Sequence, residues 1–240
     1  HGASGKATVS LGYYEKNDVM GAVHWLDVRY SGATNPPAVV LLGVSMGAVA
    51  VLEAAAASDH YSALILDSPF SSLRRTVADH TRLLLRLPSF PFANLFLFWF
   101  RRTAHFDPDT LDSHLALRHV QPVPLLIIAS EGDRRIPAAV ARSLYAESTS
   151  GYKRLKIFGA EVPHGAAARL HPPRVQPPGH AVVADVVEPQ LATGRGNVRD
   201  RLVRDRERMM GIAIFSPGSI TFSQGPFIEA MVRIPGMFFV

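Results

Sequence analysis

One five-residue motif constrains the fold of this chain more than any other feature. Gly43-Val44-Ser45-Met46-Gly47 follows a short apolar run, Ala38 to Leu42, and leads into an alanine-rich stretch, Met46 to Ala57. The run predicts a strand buried on both faces, and the stretch predicts a helix. Glycines on both sides of Ser45 let strand and helix approach closely around a sharp turn. The motif therefore predicts a strand, a tight turn and a helix packed together.

Further apolar runs alternate with helical patterns along the chain. The runs are Ser62 to Leu66, Pro124 to Ala129 and Arg154 to Phe158. Apolar residues at helical spacing predict helices over Glu15 to Leu26 and over Ala138 to Ala146. This alternation is typical of an α/β fold with a mostly parallel sheet and flanking helices.

A long insertion separates the second run from the third. It extends from Ser68 to Gln121 and contains LLLRLPSFPFANLFLFWF, which is rich in Phe, Leu and Trp. We expect a helical cap at about residues 70–120, covering the site. The alternative is a set of ordinary core helices packed on the sheet.

The amino-acid composition of the chain changes near residue 163. Prolines cluster there, and from residue 165 onward every basic residue is an arginine. We expect residues 1–164 to form the core domain with its cap. Residues 165–240 are expected to form an atypical, poorly ordered region, in which Arg199 to Arg208 would be a charged helix.

Composition excludes several classes of function. The chain has no cysteine, which rules out disulfides, thiolate catalysis and cysteine zinc sites. Its formal net charge is +5, but we see no single basic stripe, and we expect no nucleic-acid partner. The most apolar stretch, Leu95 to Phe100, is short and is followed by two arginines, so no membrane span is expected. Compartment and oligomeric state stay open.

A serine on such a turn is a candidate nucleophile, and it needs a base and a carboxylate. In this fold class the order along the chain is Ser, then Asp or Glu, then His. Asp133 follows the third apolar run, at the edge of the sheet where active-site residues gather. Glu131 is the competing carboxylate.

The base is sought after the fourth apolar run. His164 lies nearest to the end of that run, and His171 is its rival. The backbone N–H of Met46, at the start of a helix, is the expected oxyanion donor. This chemistry needs no metal and no organic cofactor.

Several stretches resemble a known group of proteins. HGASG, LGYYEKNDVMGAVHWL, LLGVSMGAVAVLEAAA, LILDSPFSSL and PLLIIASEGDRRIP resemble the bacterial α/β-hydrolases related to the serine aminopeptidase, acyltransferase and esterase clans. The resemblance covers residues 1 to about 160. It implies the α/β-hydrolase fold, Ser45 as nucleophile, Asp133 as acid and the histidine after the last strand as base.

The chain departs from this family pattern in two places. HGASG stands at position 1, whereas the matching loop of the family follows several earlier strands. We therefore expect an N-terminally truncated chain that lacks those strands and the loop of the second oxyanion donor. Near the base, Val162 and Pro163 stand where such hydrolases usually read G-A-x-H.

Together these patterns predict a serine hydrolase that cleaves carboxylic esters of small molecules. The apolar insertion favours a short- to medium-chain carboxylesterase. Peptidases, thioesterases and acyltransferases share the same machinery and stay as alternatives. A catalytically silent hydrolase-like fragment is the alternative from another class, and the reactivity of Ser45 distinguishes it.

Overall fold

The computed structural model describes residues 8–32, 34 and 38–167, together with the backbone of three short strands beyond them. Its α-helices in this part of the chain are α1 (Glu15–Tyr30), α2 (Met46–Ala57), α3 (Leu73–Leu85), α4 (Ser89–Ala104), α5 (Ser113–Leu117) and α6 (Ala138–Glu147). A short 3-10 helix, Pro108–Thr110, lies between α4 and α5.

The centre of the fold is a parallel sheet. Its strands are β1 (Ala38–Val44), β2 (Ala63–Asp67), β3 (Leu125–Ser130) and β4 (Lys153–Phe158), in the order β4-β3-β2-β1. All neighbouring strands in this sheet are parallel. The four apolar runs of the sequence are therefore confirmed as strands, and the predicted α/β-hydrolase architecture is present.

Three further strands come from beyond residue 167. β5 (Pro173–Arg174) and β6 (Asp185–Val186) form a small antiparallel pair. β7 (Met209–Ile214) pairs in parallel with β1 at the edge of the main sheet. The predicted charged helix over residues 199–208 lies outside the described residues, and the division of the chain at residue 164 stays a prediction.

Both faces of the sheet are covered. Every residue of β2 and of β3 is buried, as expected for strands between two layers. One face packs against α1, α2, α5 and α6 through a large apolar cluster. On the other face, Val162, Ala166 and Ala167 pack on side chains of the strands.

The turn between β1 and α2 depends on the absence of a side chain at Gly43. A Cβ there would lie 2.3 Å from the Gly47 carbonyl oxygen and 2.6 Å from the Ala48 Cα. Those atoms belong to the backbone of α2, which has no flexible end to move aside. The first glycine of the motif therefore permits the close approach that the sequence predicted.

The insertion between β2 and β3 is helical, as predicted, and it has a small core of its own. Residues of α3 and α4, including Leu73, Val77 and Leu97, pack with Val49 of α2 and Ile136. The two ends of the insertion meet in a β-bridge between Ser72 and Asp112. The helices are thereby fixed beside the turn that carries Ser45.

The alternative of ordinary core helices is wrong for the Phe-, Leu- and Trp-rich segment. Phe90 is 74% exposed and Trp99 is 59% exposed, whereas only Ala93, Leu97 and Ala104 of α4 are buried. Within the described residues, no single helix is long and apolar enough to span a membrane. The pair α3 and α4 passes that test jointly, but it is bent by 119°.

Replacement of Gly43 tests the close approach at the turn. Gly43→Ala should lower the free energy of unfolding by about 3 kcal/mol or more, because the new Cβ overlaps rigid backbone. Thermal and urea unfolding of the purified chain would measure this loss.

The matched control is Gly21→Ala in α1, where a Cβ meets nothing within 4 Å. It should raise stability by about 0.5–1 kcal/mol, since Ala is the better helix former. Equal stability of the Gly43 variant and the parent would contradict this packing.

Candidate active site

The predicted site residues lie at the carboxyl ends of three parallel strands. Ser45 directly follows β1, Asp133 follows β3 and His164 follows β4. Strand pairing aligns these ends, since Val44 is opposite Asp67 and Ser130 is opposite Phe158. The edge formed in this way is where open α/β sheets bind their ligands.

Ser45 occupies a strained backbone conformation at the start of α2. Its φ angle is 54° and its ψ angle is −117°, a region that residues with a side chain rarely adopt. Its N–H donates to the Asp67 carbonyl oxygen at 2.8 Å, and its own carbonyl accepts from Ala48 N–H at 3.0 Å. The backbone is thus held from both sides.

Met46 is the first residue of α2. An N–H in the first turn of a helix has no acceptor within that helix, and the helix dipole makes this end electropositive. The Met46 N–H therefore has the character that binding of an oxyanion requires.

Asp133 is buried, with its side chain 1% exposed. Its Oδ1 accepts hydrogen bonds from the backbone N–H groups of Arg135, at 2.8 Å, and Ile136, at 2.9 Å. Its Oδ2 lies 2.5 Å from Nδ1 of His164. Every oxygen of this carboxylate therefore has a partner.

Burial and hydrogen bonding act in opposite directions on the pKa of Asp133. Burial raises it, and this is the largest single effect. Hydrogen bonds from His164 and from the N–H groups of Ile136 and Arg135, with the charge of His164, lower it further than burial raises it. The net pKa lies below the ordinary value of an aspartate, so Asp133 is ionised at neutral pH.

His164 connects the other two residues. Its Nδ1 faces the ionised Asp133, which can only accept a hydrogen bond, so the proton of the neutral ring belongs on Nδ1. Nε2 is then an acceptor, and it lies 2.8 Å from Oγ of Ser45. The structure thus brings Ser45, His164 and Asp133 into one hydrogen-bonded chain.

Ser130, the last residue of β3, holds the loop that carries His164. Its Oγ lies 2.9 Å from the Gly159 carbonyl oxygen and 2.5 Å from that of Val162, and it accepts from Gly132 N–H at 3.0 Å. The hydroxyl therefore joins the loop after β3 to the loop after β4. Sequence reasoning did not single out this serine.

The departure from the family pattern before His164 has a structural explanation. Val162 is buried and packs in the apolar cluster on the face of the sheet opposite α1 and α2. Beyond it, Gly165 has a φ of +65°, and a Cβ there would lie 2.9 Å from Val44. Val162 therefore fixes the loop of His164 to the strands. Gly165 allows the same loop to pass close to the end of β1.

The competing residues are found elsewhere. Glu131 forms an ion pair with Arg142, and its side chain is half exposed. It is not the partner of His164. His171, the rival base, lies outside the described residues.

Two other polar residues lie near the site and were not predicted as part of it. Asp67 is fully buried at the end of β2, and its carboxylate accepts from the Ser68 hydroxyl at 2.9 Å. His80, on α3, has a buried Nε2 with no hydrogen-bond partner among the described residues. Burial, with the positive charges of Arg135 and His164, lowers the pKa of His80 further than a backbone hydrogen bond at Arg135 and the charge of Asp79 raise it. His80 thus brings a polar atom from the cap toward the site.

The described part of the chain contains no obvious set of metal ligands. No group of three or more His, Asp or Glu side chains there is placed to hold a metal ion. The absence of a cofactor stays a prediction.

Comparison with known proteins identifies the family. Residues 6–157 match the prolyl oligopeptidase family, which is well over half of the chain. The chain belongs to the prolyl oligopeptidase family. A serine triad is typical of this family, and the geometry around Ser45 agrees with it.

Individual proteins are similar to this chain in sequence or in structure. The chain is 34% identical over 160 residues to the uncharacterized protein YqkD of Bacillus subtilis, covering 65% of this chain and 50% of YqkD. It thus spans about half the length of that relative. Esterase Pf2001 of Pyrococcus furiosus is similar in structure in two crystal forms, each with a TM-score of 0.50. One form is 18% identical and covers 72% of this chain and 62% of Pf2001; the other is 19% identical and covers 70% and 61%.

The low pKa of Asp133 predicts a pH dependence of stability. Because the pKa of Asp133 is lower in the folded chain than in the unfolded chain, where it is about 4, ionised Asp133 stabilises the fold above about pH 4. This stabilisation is lost as the pH falls through the pKa of the folded chain. Asp133→Asn should therefore lower stability at pH 7 by about 1–3 kcal/mol and flatten its decline below about pH 4. Urea unfolding across this range would measure both effects. Asp59→Asn is the control, because the Asp59 side chain is 81% exposed. If stability falls as steeply below about pH 4 in Asp133→Asn as in the parent, Asp133 does not have the low pKa described above.

Proposed function

We propose that this protein is a serine hydrolase that cleaves carboxylic esters, with Ser45 as nucleophile, His164 as base and Asp133 as the acid that orients it. One observation carries the proposal: Ser45 Oγ lies 2.8 Å from His164 Nε2, and His164 Nδ1 lies 2.5 Å from Asp133. Hydrogen-bonded contacts of this kind are what general-base activation of a serine requires.

The proposed reaction has two halves. In the first, Ser45 Oγ attacks the acyl carbonyl carbon while its proton moves to Nε2 of His164. The tetrahedral intermediate then collapses, the ester C–O bond breaks, and the imidazolium gives its proton to the leaving alcohol. In the second half, water takes the place of the serine hydroxyl, and the acid product leaves with Ser45 restored.

Asp133 and Met46 have supporting roles in this proposal. The ionised Asp133 keeps the proton of neutral His164 on Nδ1 and stabilises the imidazolium that forms. The Met46 N–H would donate to the oxyanion, where loss of one donor typically costs about a hundred- to a thousand-fold in turnover.

The preference for esters over peptides rests on less direct support. The cap beside Ser45 is rich in Phe, Leu and Trp, and apolar surroundings of this kind suit a hydrophobic acyl group. The structural relative Pf2001 is named an esterase. The family is named for a peptidase, so peptide and thioester substrates are the alternatives, since the same triad serves all three.

The first test is labelling of the serine. The parent chain should react with a fluorophosphonate probe and hydrolyse p-nitrophenyl esters. Ser45→Ala should abolish labelling and lower kcat by at least about a thousandfold. Ser143→Ala, on the exposed surface of α6, is the matched control and should leave both unchanged.

Substrate choice is read in the same assay. We expect faster turnover of p-nitrophenyl butyrate or octanoate than of an aminoacyl p-nitroanilide. Faster cleavage of the anilide would favour the peptidase alternative. No labelling of a demonstrably folded parent chain would overturn the proposal in favour of a silent hydrolase-like scaffold.

The choice between the two histidines has its own test. His164→Ala should lower kcat for p-nitrophenyl butyrate about as far as Ser45→Ala does, because residues of a triad act as a unit. His171→Ala should keep the rate of the parent within about twofold. The reverse pattern would make His171 the base and would contradict the hydrogen bond seen at His164.

A further inference from the structure

The hairpin of α3 and α4 exposes many apolar side chains. Within residues 84–99, the exposed ones are Leu84, Leu85, Leu87, Phe90, Phe92, Leu95, Phe96, Phe98 and Trp99. We call these nine residues the hairpin tip. Large exposed apolar patches on proteins usually mark a site of interaction with another protein, a ligand or a membrane.

The same hairpin is strongly basic. Residues 73–104 contain six arginines and one aspartate, so their net charge equals the +5 of the whole chain. The arginines are all exposed, and they are Arg74, Arg75, Arg82, Arg86, Arg101 and Arg102. The sequence shows no single clean basic stripe, yet this segment alone carries a net charge of +5.

Half of these arginines have no carboxylate partner among the residues that the structure describes. Arg74 pairs with Asp109 at 2.5 Å, Arg82 with Asp79 at 3.6 Å and Arg101 with Asp107 at 3.4 Å. Arg75, Arg86 and Arg102 have no ion-pair partner in the described part of the chain. The hairpin thus offers free positive charge beside an apolar surface.

We infer that the hairpin tip docks on the surface of an anionic lipid bilayer. Trp, Phe and Leu side chains of a surface helix enter the boundary between headgroups and acyl chains, while arginines stay at the level of the phosphates. The Arg102 guanidinium lies 5.6 Å from the centre of the Phe98 ring, so a basic group and an apolar group share one part of the surface. The inference goes beyond the proposed hydrolysis and does not depend on it.

Charge favours this occupant over a second copy of the chain. Two tips packed face to face would bring both sets of arginines together, and like charges at an interface are unfavourable. An anionic bilayer supplies both the opposite charge and the apolar layer. The bend of 119° means that the two helices do not form one straight apolar span, which favours docking on the surface over crossing of the bilayer.

Vesicle binding tests the inference, with Ser45→Ala as the background so that catalysis plays no part. The full chain should float with vesicles that contain phosphatidylglycerol and much less with pure phosphatidylcholine vesicles. The double variant Arg86→Gln/Arg102→Gln should bind about 25-fold more weakly, at about fivefold for each arginine near an anionic surface. Arg118→Gln, an exposed arginine outside the hairpin, should bind like the background.

The apolar half of the surface is tested separately. Phe96→Ser/Trp99→Ser should reduce vesicle binding at least about tenfold. The control is Tyr152→Ser, which removes an aromatic side chain just before β4 that is 63% exposed. This variant should leave vesicle binding unchanged.

Tryptophan fluorescence locates the contact on the protein. The chain has two tryptophans, Trp25 and Trp99. In Trp25→Phe, brominated lipids should quench the remaining Trp99. In Trp99→Phe, Trp25 on α1 should not be quenched.

Several results would overturn the inference. These are no binding to either vesicle, equal binding with and without phosphatidylglycerol, or quenching of Trp25 instead of Trp99. Light scattering that finds a dimer which Phe96→Ser/Trp99→Ser dissociates would assign the tip to a second copy instead.

Discussion

A carboxylate buried as deeply as that of Asp133 needs partners, because an unpaired buried charge is strongly destabilising. Two backbone N–H groups hold one of its oxygens, and His164 holds the other. The bond to His164 joins the loop after β3 to the loop after β4. It also directs Nε2 of the same ring toward Ser45. One hydrogen bond therefore connects the stability of the sheet edge with the chemistry proposed there.

Close contacts between loops keep this geometry rigid. Gly43 lets β1 and α2 pass each other, and a Cβ at Gly132 would lie 2.1 Å from the Ala160 carbonyl oxygen. Ser130 and the buried Val162 fix the loop of His164 from the strand side. Each loop is thus held by contacts that a larger side chain or a missing hydroxyl would disturb. Rigid support of this kind is what a site of catalytic precision requires.

The sequence predicted the sheet well because buried parallel strands are nearly continuous apolar runs. The helix Met46–Ala57 has the predicted bounds, and Glu15 begins α1 as expected, although α1 continues four residues beyond Leu26 to Tyr30. Ser45 and Asp133 were predicted from their positions after strands, and the structure connects both through His164. The choice between His164 and His171 was open, because distance along the chain does not reveal which ring reaches Asp133.

Ser130, His80 and the pairing of β7 with β1 were not predicted, since each depends on contacts between segments distant in sequence. The exposure of the Phe-rich segment was not predicted, because apolar helix faces serve a cap over the site and a core helix equally well.

The most direct test is the proton NMR spectrum of the purified chain at low temperature. A short hydrogen bond between His164 Nδ1 and Asp133 should give a resonance far downfield of the amide region. We expect this signal in the parent and in Ser45→Ala, and we expect it to vanish in Asp133→Asn and in His164→Gln. A folded parent without the signal, or a signal that persists in His164→Gln, would contradict the hydrogen-bonded chain from Asp133 to Ser45 on which the account depends.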